Sequence, residues 1–278
     1  MSIRDLVLQH AVDADLQSTL DWVERHRGKD PKLAISGLGT CPRECFLNAY
    51  QHEAGHPLQY VPIPWETEVL ELFSLGRMYE AHLADVLLDT LGEDVVKREA
   101  SVGGGAWSGR IDFLVQSCEE FPQGAIIECK GTNPGYNFAH TQDRIPRLTH
   151  CLQVLAYQHF YEQEHGIILP AYLYYRGWNK WAEFEVWEDD LAIHRWRGLN
   201  GGHEREGFFD TCLDQETTSI DQYWGEVDSI MEVGGHEDPF ENRWACLRNN
   251  RGGWFPKCRW LGVCHPQLKG DGPFEGEF

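Results

Sequence analysis

The sequence holds no run of about 18 apolar residues, so no transmembrane helix is expected from it. Its first residues, MSIRDLVLQHAVDADLQ, are acidic and lack the apolar core of a secretion signal. The expected setting is therefore the cytoplasm, with no membrane partner. Positive charge is scarce: 24 Lys and Arg stand against 44 Asp and Glu, for a formal net charge of −20. A chain that simply coats nucleic acid is usually basic, so binding through bulk charge is disfavoured and any such contact is confined to one face. There is no internal repeat, no low-complexity linker and no helix-turn-helix signal.

What is present is globular. The chain has 278 residues, 42% hydrophobic and 12% aromatic, enough for one large domain. Its nine cysteines are an odd number for a cytoplasmic chain and argue against a disulfide framework. Metal ligation and ordinary burial are the two readings left for them.

Residues 2–27 read as a helix, with Leu6, Val7, Leu16, Leu20 and Val23 roughly on one face. A loop from Gly28 to Pro31 follows, then a segment carrying CPREC. Residues 67–91 form an amphipathic helix through Val69, Leu70, Leu72, Phe73, Leu83, Val86 and Leu87. The period then changes to two. VVKREASV and WSGRIDFLVQ are joined by Gly103, Gly104 and Gly105, a hairpin signature. AIIEC is a short apolar strand, and residues 147–164 return to helical period. PAYLYYRG and KWAEFEVWE form a second hairpin across Trp178 and Asn179. A helix near 217–232 and an irregular tail rich in Gly, Pro, Trp and Cys close the chain. The expected fold class is α/β, a mixed central sheet flanked by helices. The expected organisation is one domain over 1–278, with an N-terminal helical region (1–66), a core (67–190) and a C-terminal helical, cysteine-rich region (191–278).

The candidate chemistry lies in GRIDFLV followed by AIIECKG. Asp112 sits in one strand; Glu128 and Lys130 end the next. Residues two apart in a strand share a face, so Glu128 and Lys130 point together while Cys129 points away. A neighbouring strand can bring Asp112 beside Glu128. Two carboxylates suit magnesium or manganese, which activate water and offset charge on a phosphate. A nearby lysine can position the nucleophile or stabilise the transition state. The plainer reading of the tripeptide alone is a surface strand with a Glu–Lys pair. Downstream, Gln153 and Tyr157 are four apart and share a helix face; upstream, His82 lies on the amphipathic helix.

In this order and spacing the four pieces resemble the RecB-like branch of the PD-(D/E)xK nucleases. They are Gly76 to His82, Gly109 to Asp112, Glu128 to Lys130 and Gln153 to Tyr157. No Pro-Asp pair precedes the ExK, which departs from the superfamily name. The resemblance implies that His82, Asp112 and Glu128 bind metal with help from the Cys129 main-chain carbonyl. It implies that Lys130 is catalytic, and that Gln153 and Tyr157 place the DNA strand or the site. It also implies exonuclease action on DNA ends. Single-stranded DNA is the more natural substrate, since no second module for duplex binding is visible.

Cys41 in CPREC, with Cys246, Cys258 and Cys264 in the tail, brackets this core. The layout resembles the CRISPR-associated RecB-like exonucleases and AddB-type recombination nucleases. In those a four-iron four-sulfur (4Fe-4S) cluster staples the two ends of the domain. Cys45 is the alternative to Cys41, and four thiolates can hold zinc as well as an iron–sulfur cluster. Cys118, Cys129, Cys151 and Cys212 read as small buried residues. From Arg243 to His265 there is no Asp or Glu, while Arg243, Arg248, Arg251, Lys257 and Arg259 alternate with Trp244, Trp254, Phe255 and Trp260. These could track a single strand, or the tryptophans could pack around the cluster. Arg144 and Arg147 are further candidate phosphate contacts. CRISPR adaptation, recombination and phage DNA metabolism are the contexts the resemblance implies, with proteins of those systems as partners.

Overall fold

The structure, a computed structural model, describes residues 9–10, 13, 17, 21, 32–37, 67–131, 146–177, 181–188, 194–199 and 205–208. The chain divides into two compact units. One comprises Lys32–Gly39 and Thr67–Glu226; the other comprises Met1–Pro31, Thr40–Glu66 and Val227–Phe278. In the second unit Gln9, His10, Asp13, Gln17 and Asp21 are helical, as the sequence leads one to expect there. The expected helix near 217–232, the tail, and Cys41, Cys45, Cys212, Cys246, Cys258 and Cys264 lie outside the described residues. So do Arg144 and the Arg–Trp stretch.

The first unit is the expected α/β arrangement. In chain order, β1 (Leu33–Ala34) and a 3-10 turn (Ile35–Gly37) lead to α1 (Thr67–Leu91). Then follow β2 (Val96–Val102), β3 (Trp107–Val115), β4 (Ala125–Gly131) and α2 (Leu148–His165). β5 (Ala171–Arg176), β6 (Trp181–Glu188), β7 (His194–Gly198) and β8 (Arg205–Phe208) close the series. Among the described residues β3 to β8 run side by side in chain order, with β2 and the two-residue β1 both pairing with β3. β2 with β3 and β5 with β6 are the two expected antiparallel hairpins. β4 and β5 are parallel, from Ile126↔Ala171 to Gly131↔Arg176, and α2 makes the crossover that parallel neighbours require. β7 and β8 had no forecast in the sequence; they extend the sheet as antiparallel neighbours.

Each helix takes one face of the sheet. Leu83, Ala84, Leu87, Leu88 and Leu91 of α1 recur at helical spacing. They pack on Val96, Phe113, Val115, Ala125 and Ile127. Met78, His82, Asp85, Val86 and Asp89 lie off that stripe and are exposed. α2 is buried more completely, from Cys151 through Gln158. Beneath it the alternation in β5 and β6 buries Leu173, Tyr175, Ala182, Phe184 and Val186. Phe184 meets both Tyr175 and Trp196 edge-on. α2 stops at Gly166, whose φ of 72° is the left-handed cap that suits glycine; its N–H donates to the Glu162 carbonyl.

β4 ends in close contact with α1. A Cβ placed on Gly131 would lie 2.7 Å from the Gly76 Cα, backbone against backbone. Neither side can yield by a rotamer change. Gly131→Ala is therefore expected to destabilise the protein by about 1–3 kcal/mol, the usual cost of overpacking, seen as a lower urea midpoint. An unchanged midpoint would contradict this close approach of β4 and α1.

Candidate active site

The site forms where β3 and β4 part. One edge of β3 belongs to β2. On the other edge, β1 takes Trp107 and Ser108 in parallel, while β4 takes Phe113, Leu114 and Val115 antiparallel. Between those two pairings the strands fork, and Asp112 sits in the fork. Its Oδ2 accepts a hydrogen bond from the Cys129 backbone N–H at 2.8 Å. The side chain thus replaces the ladder bond lost there, which fixes it beside β4.

Glu128 and Lys130 leave the α2 face of β4, as their spacing predicts. Lys130 Nζ donates to Glu128 Oε1 at 2.6 Å and to Gln153 Oε1 at 2.9 Å. Gln153 Nε2 donates to Glu128 Oε1 and to the Tyr157 hydroxyl oxygen, both at 2.8 Å. One amide therefore ties the strand pair to the helix, and the i, i+4 spacing puts both α2 side chains on that one face. Gly109 makes room for the arrangement: a Cβ there would lie 2.8 Å from the Tyr157 ring. Asp112, Glu128, Lys130, Gln153 and Tyr157, separate in sequence, thus converge in one cluster.

Glu128 is 3% exposed, and its Oε2 is buried with no hydrogen-bond partner among the described residues. A buried carboxylate oxygen without a donor is costly and calls for an explanation. Burial raises the Asp112 pKa from 3.8 to about 7, with the adjoining Glu128 charge adding to it and the Cys129 N–H opposing it. Burial likewise raises Glu128, opposed chiefly by Lys130. Two adjoining carboxyls in one dry fork cannot both ionise easily without a cation. Burial also pushes the Cys129 thiol and the Tyr157 phenol upward, with the neighbouring carboxyls adding to it.

The donor set fits a hard divalent cation. Magnesium is commonly held by one or two carboxylates, with waters and substrate phosphates filling its shell. Among the described residues no three His, Cys, Asp or Glu side chains converge as a metal cage.

On the upstream helix His82 and Glu80 are placed differently relative to the sheet. His82 is exposed, off the stripe of α1 that meets the sheet. Glu80 lies on the site side: burial raises its pKa first, and the charge of Asp112 second. Its carboxylate stands 4.0 Å from Arg98. Two helical positions are about 200° apart, so a helix that turns Glu80 toward Asp112 turns His82 away. Four-residue spacing from Gly76, which packs on Gly131, was the available signal for Glu80. Glu80→Ala is expected to cut activity at least tenfold, while His82→Ala stays within twofold of the wild type in the same turnover assay; the reverse order would restore the histidine.

At the N-terminus of α2 the Arg147 N–H donates to the Tyr175 hydroxyl oxygen at 3.1 Å, and His150 Nδ1 lies 2.8 Å from the same oxygen. Arg147 thus caps the helix start through its backbone. Of the cysteines within the described residues, Cys151 is fully buried, and Cys118 and Cys129 are half-buried; all three are free thiols. No described helix is long and apolar enough to cross a membrane.

No family model and no curated protein matches the chain. Two solved structures are similar to it at low identity. One is SSO0001, 16% identical, covering 66% of this chain and 76% of its own, with a TM-score of 0.41. The other is an alkaline exonuclease, LHK-Exo, from Laribacter hongkongensis, 13% identical over 77% of this chain and 91% of its own, with a TM-score of 0.43.

Proposed function

We propose that the chain is a metal-dependent DNA nuclease of the PD-(D/E)xK kind, with its active centre at the fork of β3 and β4. The carrying observation is the convergence of two adjoining carboxyls, the half-buried Asp112 and the buried Glu128, with Lys130 hydrogen-bonded to Glu128. Asp112 and Glu128, with the Cys129 carbonyl, would hold magnesium or manganese, with Glu80, whose carboxyl feels the charge of Asp112, or His82 as the contribution from α1. Bound there, the cation would lower the pKa of a water and offset charge on the phosphate. Lys130 opposes the upward shift that burial imposes on Glu128 and would place an ammonium beside the attacked phosphate. Gln153 holds Lys130 and Glu128 in register, and Tyr157 holds Gln153.

The finer reading is exonuclease action on ends of single-stranded DNA, in CRISPR adaptation, recombination or phage DNA metabolism. Cys41, Cys246, Cys258 and Cys264 would hold a 4Fe-4S cluster. Incubating end-labelled single-stranded and duplex DNA with the anaerobically purified protein and manganese tests the first part. Products shortening from one end of the single strand are expected; internal cuts or a duplex preference would refute the end-directed reading. Iron and acid-labile sulfide in the same sample are expected at about four each per chain for a 4Fe-4S cluster. Zinc without iron would replace the cluster with a zinc site and favour a DNA-binding adaptor.

A further inference from the structure

We infer that Arg110 is a phosphate-binding residue at the mouth of the site, held by Glu99 until DNA displaces that carboxylate. The inference rests on the nuclease reading and adds to it a residue that grips the substrate next to the reacting bond.

Arg110 and Asp112 are two apart in β3, so their side chains leave the same face, about 6.7 Å apart along the strand. Asp112 lies in the dry fork, but the Arg110 side chain is 66% exposed. It therefore stands at the opening of the fork. Its charge acts on both Glu80 and Tyr157, which border the cluster on two sides. A strand whose phosphodiester lay on Asp112 and Glu128 would carry a neighbouring phosphate past this guanidinium.

Glu99 gives the second observation. The β2–β3 register is the same on either side, at Arg98↔Phe113 and at Ala100↔Ile111, which sets Glu99 opposite Asp112. At that position alone the pairing lapses, and Glu99 has φ 48°, the one residue other than glycine with a positive φ among the described residues. A side-chain-bearing residue rarely adopts that conformation, and such strain gathers where function imposes it. The result is a carboxylate 3.1 Å from the Arg110 guanidinium, with Glu99 54% exposed. Exposed ion pairs contribute little to stability, so a strained backbone is a poor bargain for this contact as a structural brace. It suits a counter-ion that yields to a phosphate, which a guanidinium binds through two parallel hydrogen bonds. In a chain of net charge −20 it also keeps one cation oriented at the mouth among many acids.

The test measures binding of a fluorescein-labelled oligo(dT) over a range of salt without divalent cations, and kcat and KM for its cleavage with manganese. Arg110→Ala is expected to weaken binding and raise KM about tenfold, with kcat within twofold. The slope of log K against log salt should fall by about 0.7, the value for one phosphate contact on a single strand. Glu99→Gln is expected to tighten binding several-fold. Wild-type cleavage with an Arg110→Ala variant that matches it in affinity and salt slope would overturn this inference and leave the nuclease reading standing. No metal-dependent cleavage by the wild type would overturn the nuclease reading, and this inference with it.

Discussion

Replacing Lys130 by alanine should lower the rate of DNA cleavage by at least about a thousandfold while the protein stays folded. The size follows from its position. Among the described residues Lys130 is the cation hydrogen-bonded to Glu128, and it also binds the Gln153 oxygen that orients the cluster. Removal of one preorganised electrostatic group in an active site costs about 10²–10³ in rate. Here the same change leaves a 3% exposed carboxylate without its counter-charge. Glu128 then takes up a proton, and a protonated carboxyl is a poor ligand for a hard cation. Both losses act together, so the effect exceeds either alone. Folding is expected to survive because protonation relieves the buried charge. Turnover measured beside circular dichroism checks this. An active, well-folded variant would remove Lys130 from the chemistry, and an unfolded one would make its role structural.

The stability of the metal-free protein should fall as pH rises from about 4 to about 7, and magnesium or manganese should restore it at the upper end. Asp112 ionises at 3.8 when unfolded and near 7 when folded. Between those values the folded state holds a proton that the unfolded state has released, so raising the pH favours unfolding. At about 1.36 kcal/mol per pH unit, the upper figure for this one group is about 4 kcal/mol. The sign is opposite to that of a salt-bridged aspartate, because burial and Glu128 outweigh the Cys129 N–H. A bound cation favours the ionised pair, so it should raise Tm strongly at pH 8 and little at pH 5. In Asp112→Asn, which cannot ionise, both the pH slope and the metal effect should shrink. A metal-free protein more stable at pH 8 than at pH 5, with no such difference from Asp112→Asn, would contradict the account of the fork.

Much of this site was legible in the sequence because its parts are local and periodic. The apolar stripe between Thr67 and Leu91 marks α1, and alternation on either side of Gly103–Gly105 marks the β2–β3 hairpin. Two-residue spacing put Glu128 and Lys130 on one face, and four-residue spacing did the same for Gln153 and Tyr157. What could not be read was whatever depends on rotation or on distant pairing. A histidine drew attention on α1, while the phase of the helix, which sets His82 exposed and Glu80 half-buried, is visible only once α1 is laid on β4. β7 carries Arg195 and Arg197 where a strand's apolar alternation would be sought. Arg197 is matched across the ladder by Glu185 and lies over the Trp187 ring. That pairing is visible only once β6 is in place. The strained Glu99 gives no sign in the sequence either, since a positive φ is read from glycine or asparagine and not from glutamate.

The most direct measurement of the central claim is cleavage of end-labelled single-stranded DNA by the wild type and by Glu128→Gln, each with manganese, magnesium or EDTA. The account predicts cleavage by the wild type with either cation, none with EDTA, and none by Glu128→Gln under any condition. Cleavage that persists in EDTA, or in Glu128→Gln, would contradict a metal-dependent site at the fork of β3 and β4.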